Sequence, residues 1–226
     1  MSETTKINQL RDINYFNTFF SGTVLDIGAG DDPVVDKATI FEREDGDANN
    51  ILEYIKSTFN TVYTSNLLEH LENPLKSVKD FEALVSEDGY LIIVLPIFEY
   101  YEQGLFPSIF NNDHKFGFSY YYGCKKNYLI NINELINSLK FSKLVMFEAN
   151  LNNYNKNLIF KNFLNLNTYQ LRKISRISYE VNKRINIKIL KKFLLYFLTK
   201  LNIPFDQSSG DSLCSMTLIF KKCIKL

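Results

Sequence analysis

An apolar segment that ends in a glycine-rich turn, Thr23–Pro33, constrains the fold of this chain more than any other feature. Its strand-forming run, VLDI, is typical of a buried parallel strand. Gly28-Ala29-Gly30 then permits a tight turn, where the absence of side chains lets a ligand approach the backbone. Asp26 lies near the carboxyl end of the strand, the edge at which open α/β sheets bind their ligands. The segment therefore predicts an α/β fold with a ligand site at this turn.

The residues of the turn favour a cationic ligand over a dinucleotide. A dinucleotide-binding turn has a third glycine that opens a helix facing the pyrophosphate, and here that position is Pro33. Asp31 and Asp32 would also repel a diphosphate. The alternative is an ordinary strand–helix turn that binds nothing.

Two segments together resemble the class I S-adenosylmethionine (SAM) methyltransferases of the type 11-like group. VLDIGAG resembles their first motif, and SNLLEHLENP, Ser65–Pro74, resembles the S-x-x-LEHL-x-x-P segment that follows their fourth strand. A helical pattern and a further buried strand, DGYLIIVLP, come next. The resemblance implies a Rossmann-like, doubly wound, seven-stranded sheet, mostly parallel with an antiparallel last strand. It also implies SAM, which carries a sulfonium and an ammonium, as the cofactor.

The resemblance implies a role for each cofactor residue. Asp26 and the glycine turn would hold the amino-acid end of SAM. Glu42, at the end of a predicted strand over 38–42, would accept from both ribose hydroxyls, with Glu44 as a rival. Asp47 would accept from the adenine amino group, or alternatively cap a helix over 49–57. The implied set is Asp26, Gly28, Ala29, Gly30, Glu42, Asp47, Ala48, Asn66, Leu67 and His70.

A loop-like aromatic stretch after the fifth strand, Phe98–Phe118, supplies the candidate catalytic residues. It resembles the YEQG…PSxFNxDHK stretch of a bacterial methyltransferase subgroup encoded with surface-polysaccharide genes. His114 is the predicted general base, because histidine titrates near neutral pH, and Glu102 and Asp113 would orient or assist it. Alternatively, His114 is a loop residue bonded to backbone and His70 only shapes the pocket.

The chain ends with two predicted strands that are separated by a helical insertion at about 150–203. The strands are expected at 141–149 and 213–222, and a lead-in helix is expected at 7–20. The insertion contains a basic amphipathic helix, a type of helix that can make peripheral contact with a membrane surface. A cap over the active site and a homodimer face are the alternatives.

Composition limits the remaining function classes. Residues 1–115 hold 20 acids and 8 bases, whereas residues 116–226 hold 5 acids and 18 bases. The basic half could face an anionic substrate, nucleic acid or a membrane surface, or simply complement the acidic half. Cys124, Cys214 and Cys223 form no CxxC pattern, which indicates a reducing cytoplasm and neither disulfides nor a zinc site. No metal site, signal peptide or membrane span is predicted. The 226 residues suit one domain, 1–226.

The function predicted from these features is SAM-dependent O-methylation of a small polar acceptor. The subgroup resemblance implies an anionic or sugar-like acceptor, such as a nucleotide-activated precursor of a surface glycan. One alternative is a SAM-binding protein that has lost catalysis and serves as a partner in a biosynthetic complex. The other is a nucleic-acid methyltransferase, but the NPPY-like segment of such enzymes is replaced here by SNLLEHL, so no nucleic-acid partner is expected.

Overall fold

The computed structural model describes residues 2–121, 126–155, 168–185, 187–201, 203–208 and 211–223. This part of the chain contains the strands β1 Val24–Ile27, β2 Thr39–Phe41, β3 Phe59–Ser65, β4 Val85–Pro96, β5 Gly117–Ser119, β6 Leu129–Asn131, β7 Ser142–Asn150 and β8 Ser215–Lys222. Its α-helices are α1 Glu3–Asn8, α2 Ile13–Phe19, α3 Pro74–Ala83, α4 Phe98–Tyr101, α5 Ile132–Ser138, α6 Thr168–Arg184 and α7 Lys188–Lys200. Short 3-10 helices occupy Ala48–Glu53 and Leu68–His70.

The main sheet has the strand order β2-β1-β3-β4-β8-β7. The first four strands of this order pair in parallel, and β8 pairs antiparallel with both β4 and β7. The predicted α/β fold, mostly parallel with an antiparallel last strand, is therefore confirmed. A second, two-stranded parallel sheet of β5 and β6, which the sequence did not predict, lies next to the aromatic stretch.

The main sheet has six strands in the described part of the chain, so the expectation of seven is wrong. Among the described residues, no strand pairs with the outer side of β2. Residues 42–58, which are all described, connect β2 to β3 through a turn and the 3-10 helix Ala48–Glu53. The sequence offers six strand-like runs for this sheet, and the seventh strand was inferred from the family resemblance alone. As a result, β2 forms the edge of the sheet.

Both faces of the sheet are buried, and β4 contributes side chains to the core on each face. Its side chains alternate, so Leu91, Ile93 and Leu95 join the core on the α3 and α5 side. Ile92 and Val94 join the core on the α1 and α2 side. This burial on both faces explains why YLIIVLP reads as a continuous apolar run.

The predicted lead-in helix is two helices, α1 and α2, rather than one. The helix is interrupted at Asp12. The carboxylate of Asp12 accepts the amide hydrogen of Tyr15 at 2.8 Å and caps the start of α2. An N-cap residue has extended backbone, so the chain turns there. Ile7 from α1, Phe19 at the end of α2 and Phe20 directly after it are nevertheless buried against the sheet.

The segment between β7 and β8 is helical where it is described, as expected. Helices α6 and α7 occupy it, and Leu198 of α7 packs with Ile203 and Phe205 in a small core of its own. The earlier part of the insertion, 156–167, and Cys124 lie outside the described residues. Among the described helices, none is long and apolar enough to cross a bilayer.

Candidate functional site

Two glycines shape the turn that follows β1. Gly28 has φ +77° and Gly30 has φ +58°, and this left-handed region strongly favours glycine. A Cβ at Gly28 would lie 3.3 Å from the side chain of Leu67, while a Cβ at Gly30 would meet nothing within 4 Å. The turn therefore presents bare backbone at the carboxyl edge of the sheet.

A cavity of about 550 Å³ opens beside this turn, and we call it the glycine-turn cavity. Its volume falls within the range typical of cofactor sites. Ala29 and Gly30 belong to the turn but do not line the cavity. Of the residues predicted to bind the cofactor, those that line it are Gly28, Glu42, Asp47, Ala48, Leu67 and His70.

The structure distinguishes between the two carboxylates proposed to hold a ribose. Glu42 follows β2 directly, lines the glycine-turn cavity, and accepts the amide hydrogen of Gly30 at 2.7 Å through Oε1. Glu44 is exposed and is not among the lining residues. The position of Glu42 is therefore the one that can reach a ligand in this cavity.

Asp47 caps the 3-10 helix Ala48–Glu53. Its Oδ1 accepts from the amide of Asn49 at 2.9 Å and from the side-chain nitrogen of the same residue at 2.8 Å. These hydrogen bonds hold the pKa of Asp47 below its ordinary value, chiefly through the Asn49 backbone amide. The capping alternative is thus observed, and Asp47 also lines the cavity as an exposed carboxylate.

Asp26 lies behind the turn and does not line the glycine-turn cavity. It is 1% exposed, and its Oδ2 accepts the amide hydrogen of Val34 at 2.7 Å. Burial raises the pKa of Asp26 to about 7, although the Val34 hydrogen bond opposes the shift. Asp26 thus fastens the segment that follows the turn, its other carboxylate oxygen has no hydrogen-bond partner among the described residues, and its contact with the ligand stays a prediction.

A second cavity, of about 350 Å³, lies at the ends of β3 and β4, and we call it the histidine cavity. His70 lines both cavities, so its side chain lies between them. Asn66, predicted as a cofactor contact, lines the histidine cavity, with its backbone in the left-handed region at φ +51°. The histidine cavity is lined by Glu3, Lys6, Asn66, Glu69, His70, Pro96, Tyr101, Asn111, His114, Ser208, Cys214 and Ser215.

His114 is buried and is held by Glu102. The Nδ1 atom of His114 lies 2.6 Å from Oε1 of Glu102, and the ring of Tyr101 stacks on the imidazole with centroids 5.2 Å apart. Burial opposes the charged imidazolium, but the Glu102 hydrogen bond and the nearby carboxylates raise the pKa of His114 above its ordinary value. With Nδ1 donating to Glu102, the neutral ring directs the lone pair of Nε2 to its other side.

Glu69 faces that other side of His114, and sequence reasoning missed it. Its carboxylate is fully buried, its Oε1 lies 3.9 Å from Nε2 of His114, and neither oxygen has a hydrogen-bond partner among the described residues. Burial raises the pKa of Glu69 to about 7. An acid inside the apolar run LLEHL was the available signal, because such an acid must be buried with its neighbours.

His70 and Asp113 meet through the backbone. The Nδ1 atom of His70 lies 3.2 Å from the carbonyl oxygen of Asp113, which can only accept, so Nδ1 carries the proton. The carboxylate of Asp113 is exposed, yet its charge is among those that raise the pKa of His114, so a role for Asp113 beside His114 stays a prediction. The two imidazole rings lie edge to face, with centroids 4.8 Å apart. Burial, then the charge of His114, lowers the pKa of His70.

The amino-terminal helix α1 contributes a buried cation to the histidine cavity. Lys6 is 7% exposed, and its Nζ donates to the carbonyl of Ser208 at 2.6 Å and to Glu3 at 3.2 Å. These contacts join α1 to the loop before β8 at the cavity wall. A polar cavity with one paired cation and buried carboxylates suits hydroxyl or amino groups better than a strongly anionic group.

Comparison with known proteins shows which fold the chain resembles. No family model matches the chain, and no curated protein matches it. A putative methyltransferase from Bacillus halodurans C-125 superposes with a TM-score of 0.50 at 14% identity, over 99% of this chain and 100% of that one. At this identity the similarity shows the fold alone, a Rossmann-like methyltransferase fold.

Two further solved structures resemble the chain more weakly. A putative sarcosine dimethylglycine methyltransferase from Galdieria sulphuraria gives a TM-score of 0.47 at 10% identity, over 99% of this chain and 86% of that one. A SAM-dependent methyltransferase from Archaeoglobus fulgidus gives 0.46 at 17% identity, over 97% and 94%.

Proposed function

We propose that this chain is a SAM-dependent methyltransferase acting on a small polar acceptor. One observation carries the proposal: at the carboxyl edge of the sheet, a glycine-turn cavity and a polar histidine cavity share the side chain of His70. A methyl donor and its acceptor need such adjoining compartments, because the reaction requires their reacting atoms to be aligned. The methyltransferase fold is consistent with this use of the edge.

SAM fits the residues of the glycine-turn cavity. The bare backbone of Gly28-Ala29-Gly30 leaves room for the amino-acid end, Glu42 can accept from the ribose hydroxyls, and Asp47 with Ala48 would receive the adenine. Leu67 and His70 complete this wall, and Asn66 lies on the acceptor side. When bound, SAM supplies an already activated methyl group, so the protein's main task is alignment.

The acceptor would occupy the histidine cavity, with His114 as the group that takes its proton. The Nδ1 atom of His114 is committed to Glu102, which orients the ring and leaves Nε2 for an acceptor hydroxyl. A positioned base of this kind contributes about 100- to 10,000-fold. Tyr101, stacked on the ring, restricts its rotation.

The sugar-like half of the predicted acceptor class has more support than the anionic half. Lys6 is the cavity's lysine, and it is already paired with Glu3 and the Ser208 carbonyl. Buried Glu69 and Glu102 disfavour a second negative charge. We therefore favour hydroxyl-rich acceptors, including precursors of surface glycans, with O-methylation as the reaction.

The test has a binding stage and a turnover stage. Calorimetry of the purified chain should show micromolar binding of SAM and of its demethylated product, one per chain. A panel of sugars, nucleotide-activated sugars and small amines is then incubated with SAM, and products are sought by a mass gain of about 14 Da, CH3 replacing H. Absence of cofactor binding by folded protein would refute the proposal, and binding without any turnover would favour the non-catalytic partner instead.

A further inference from the structure

We propose that Glu69, His70 and His114 form a binding site for one divalent transition-metal ion. Each residue offers one ligand atom, and these three atoms all lie within 4.8 Å of one another. The sequence did not predict a metal site, because the two histidines are far apart along the chain and only the fold brings them together. Three further observations support the site.

The first observation is the state of Glu69. Its side chain is fully buried, and neither carboxylate oxygen has a hydrogen-bond partner among the described residues. Leaving a buried carboxylate without a partner is costly, so such groups are normally paired or bound to metal. The carboxylate faces Nε2 of His114 at 3.9 Å, which directs it into the cluster rather than away from it.

The second observation is the orientation of the histidines. His114 uses Nδ1 for Glu102, and His70 uses Nδ1 for the carbonyl of Asp113. Metal-binding histidines nearly always donate their other ring N–H to a carboxylate or a backbone carbonyl, which fixes the tautomer. Both outer contacts of that kind are present here, and both leave Nε2 of the neutral ring as the coordinating atom.

The third observation is the ligand set and its surroundings. Two imidazoles and one carboxylate suit zinc and neighbouring transition metals, rather than magnesium or calcium. A tetrahedral ion with bonds of about 2.0 Å places its ligands about 3.3 Å apart, so the side chains need to close by up to about 1.5 Å. All three residues line the histidine cavity, which leaves a coordination position for a small molecule.

The ion's binding does not depend on the proposed function, but its use does. In the metal-bound cluster, Nε2 of His114 is a ligand and cannot accept a proton. The ion would then polarise an acceptor hydroxyl in its open position, which lowers the pKa of that hydroxyl. The acceptor oxygen would therefore be activated by His114 in the metal-free protein and by the ion in the metal-bound protein.

The test measures metal binding without SAM or acceptor. Full-length, tag-free protein is stripped with a chelator and titrated with Co²⁺, followed by visible absorption, and with Zn²⁺, followed by calorimetry. We expect one ion per chain. Glu69→Gln and His70→Gln should each weaken Zn²⁺ binding by at least about tenfold, and Glu102→Gln by about 10- to 100-fold through the orientation of His114.

The matched control is Glu72→Gln, an exposed carboxylate in the same segment that pairs with Lys115. It should bind both ions as the parent does. Thermal unfolding confirms that each variant is folded. No saturable binding by the folded parent, or equal affinity in Glu69→Gln, His70→Gln and the parent, would overturn the proposal. Binding of demethylated SAM is measured on the same samples, so failure of the metal site is distinguishable from failure of the cofactor site.

Discussion

The carboxyl edge of the sheet and helix α7 distribute polar and apolar side chains in opposite ways. At the edge, Glu69, Glu102 and His114 are 0%, 2% and 7% exposed. On α7, Ile189 and Phe193 are 76% and 70% exposed. Burying ionisable groups opposes folding and is typical of sites that perform chemistry, whereas a run of exposed apolar side chains marks a surface for contact.

The comparison teaches that the two regions serve different purposes and depend on different forces. The edge is held by the packed core beneath it, and α7 has only the small core around Leu198. Residues 181–205 contain six lysines and arginines and no acids, so the exposed face of α7 keeps peripheral membrane contact as a prediction, with the dimer face and the cap as alternatives. Four predictions sharpen or break this contrast.

The largest expected effect is the loss of turnover when His114, at the carboxyl edge of the sheet, is replaced. With an acceptor identified by the mass-gain screen, His114→Gln should lower kcat by about 100- to 10,000-fold, because the group that accepts the proton is lost. Calorimetric affinity for the demethylated cofactor should remain within about twofold, since His114 does not line the glycine-turn cavity. A variant that turns over at the parental rate would remove His114 as the base.

The next effect compares the stability of the two regions. Phe81 of α3 is fully buried, so Phe81→Ala should lower the free energy of unfolding by about 3–5 kcal/mol. Phe193→Ala on α7 should change it by less than about 0.5 kcal/mol, because the ring is already exposed. Urea unfolding of both variants measures this. A large loss in Phe193→Ala would show that α7 is covered in solution.

A smaller effect is expected for the cofactor. Glu42→Ala should weaken SAM binding by about 10- to 100-fold, the worth of charge-assisted hydrogen bonds to the ribose. Glu44→Ala is the matched control and should bind as the parent does, since Glu44 is exposed outside the cavity. Calorimetry measures the SAM affinity of both variants. If Glu44→Ala binds SAM more weakly than Glu42→Ala, the ribose role belongs to Glu44.

The remaining effect is a pH dependence that comes from Asp26. Its pKa rises from 3.8 to about 7 on folding, so between these values the folded state binds more protons. The free energy of unfolding should therefore fall as pH rises from about 4 to about 7, in part because of this group. Asp26→Asn should flatten that slope, and Asp36→Asn, at an exposed position, should not. Urea unfolding at about pH 5, 6 and 7 measures it; identical slopes in Asp26→Asn and the parent would contradict the assignment.

Much of the fold could be predicted because local sequence patterns carry it. The run VLDI with its glycines, the LEHL segment and YLIIVLP all form the expected elements, since periodicity and turn residues act locally. The seventh strand was inferred from the resemblance alone, and the sequence has no seventh strand-like run to form it. The β5–β6 sheet was missed because each of its strands is three residues long.

The candidate site was only partly predictable, because its chemistry depends on distant pairs. His114 and Glu102 were named together, and the structure joins them. Glu69 and Lys6 were missed, since their burial at the histidine cavity depends on the packing of a remote loop and of α1. The hydrogen bond from the Val34 amide to Asp26 was also missed, because the position of a carboxylate at a strand end does not show which backbone amide it will accept from.

The imidazole of His70 forms part of the wall between the glycine-turn cavity and the histidine cavity. A wider aromatic ring at this position would separate the two cavities further, and a smaller side chain would join them. Under the proposed function, the size of this one side chain should therefore affect turnover separately from the affinity for either ligand.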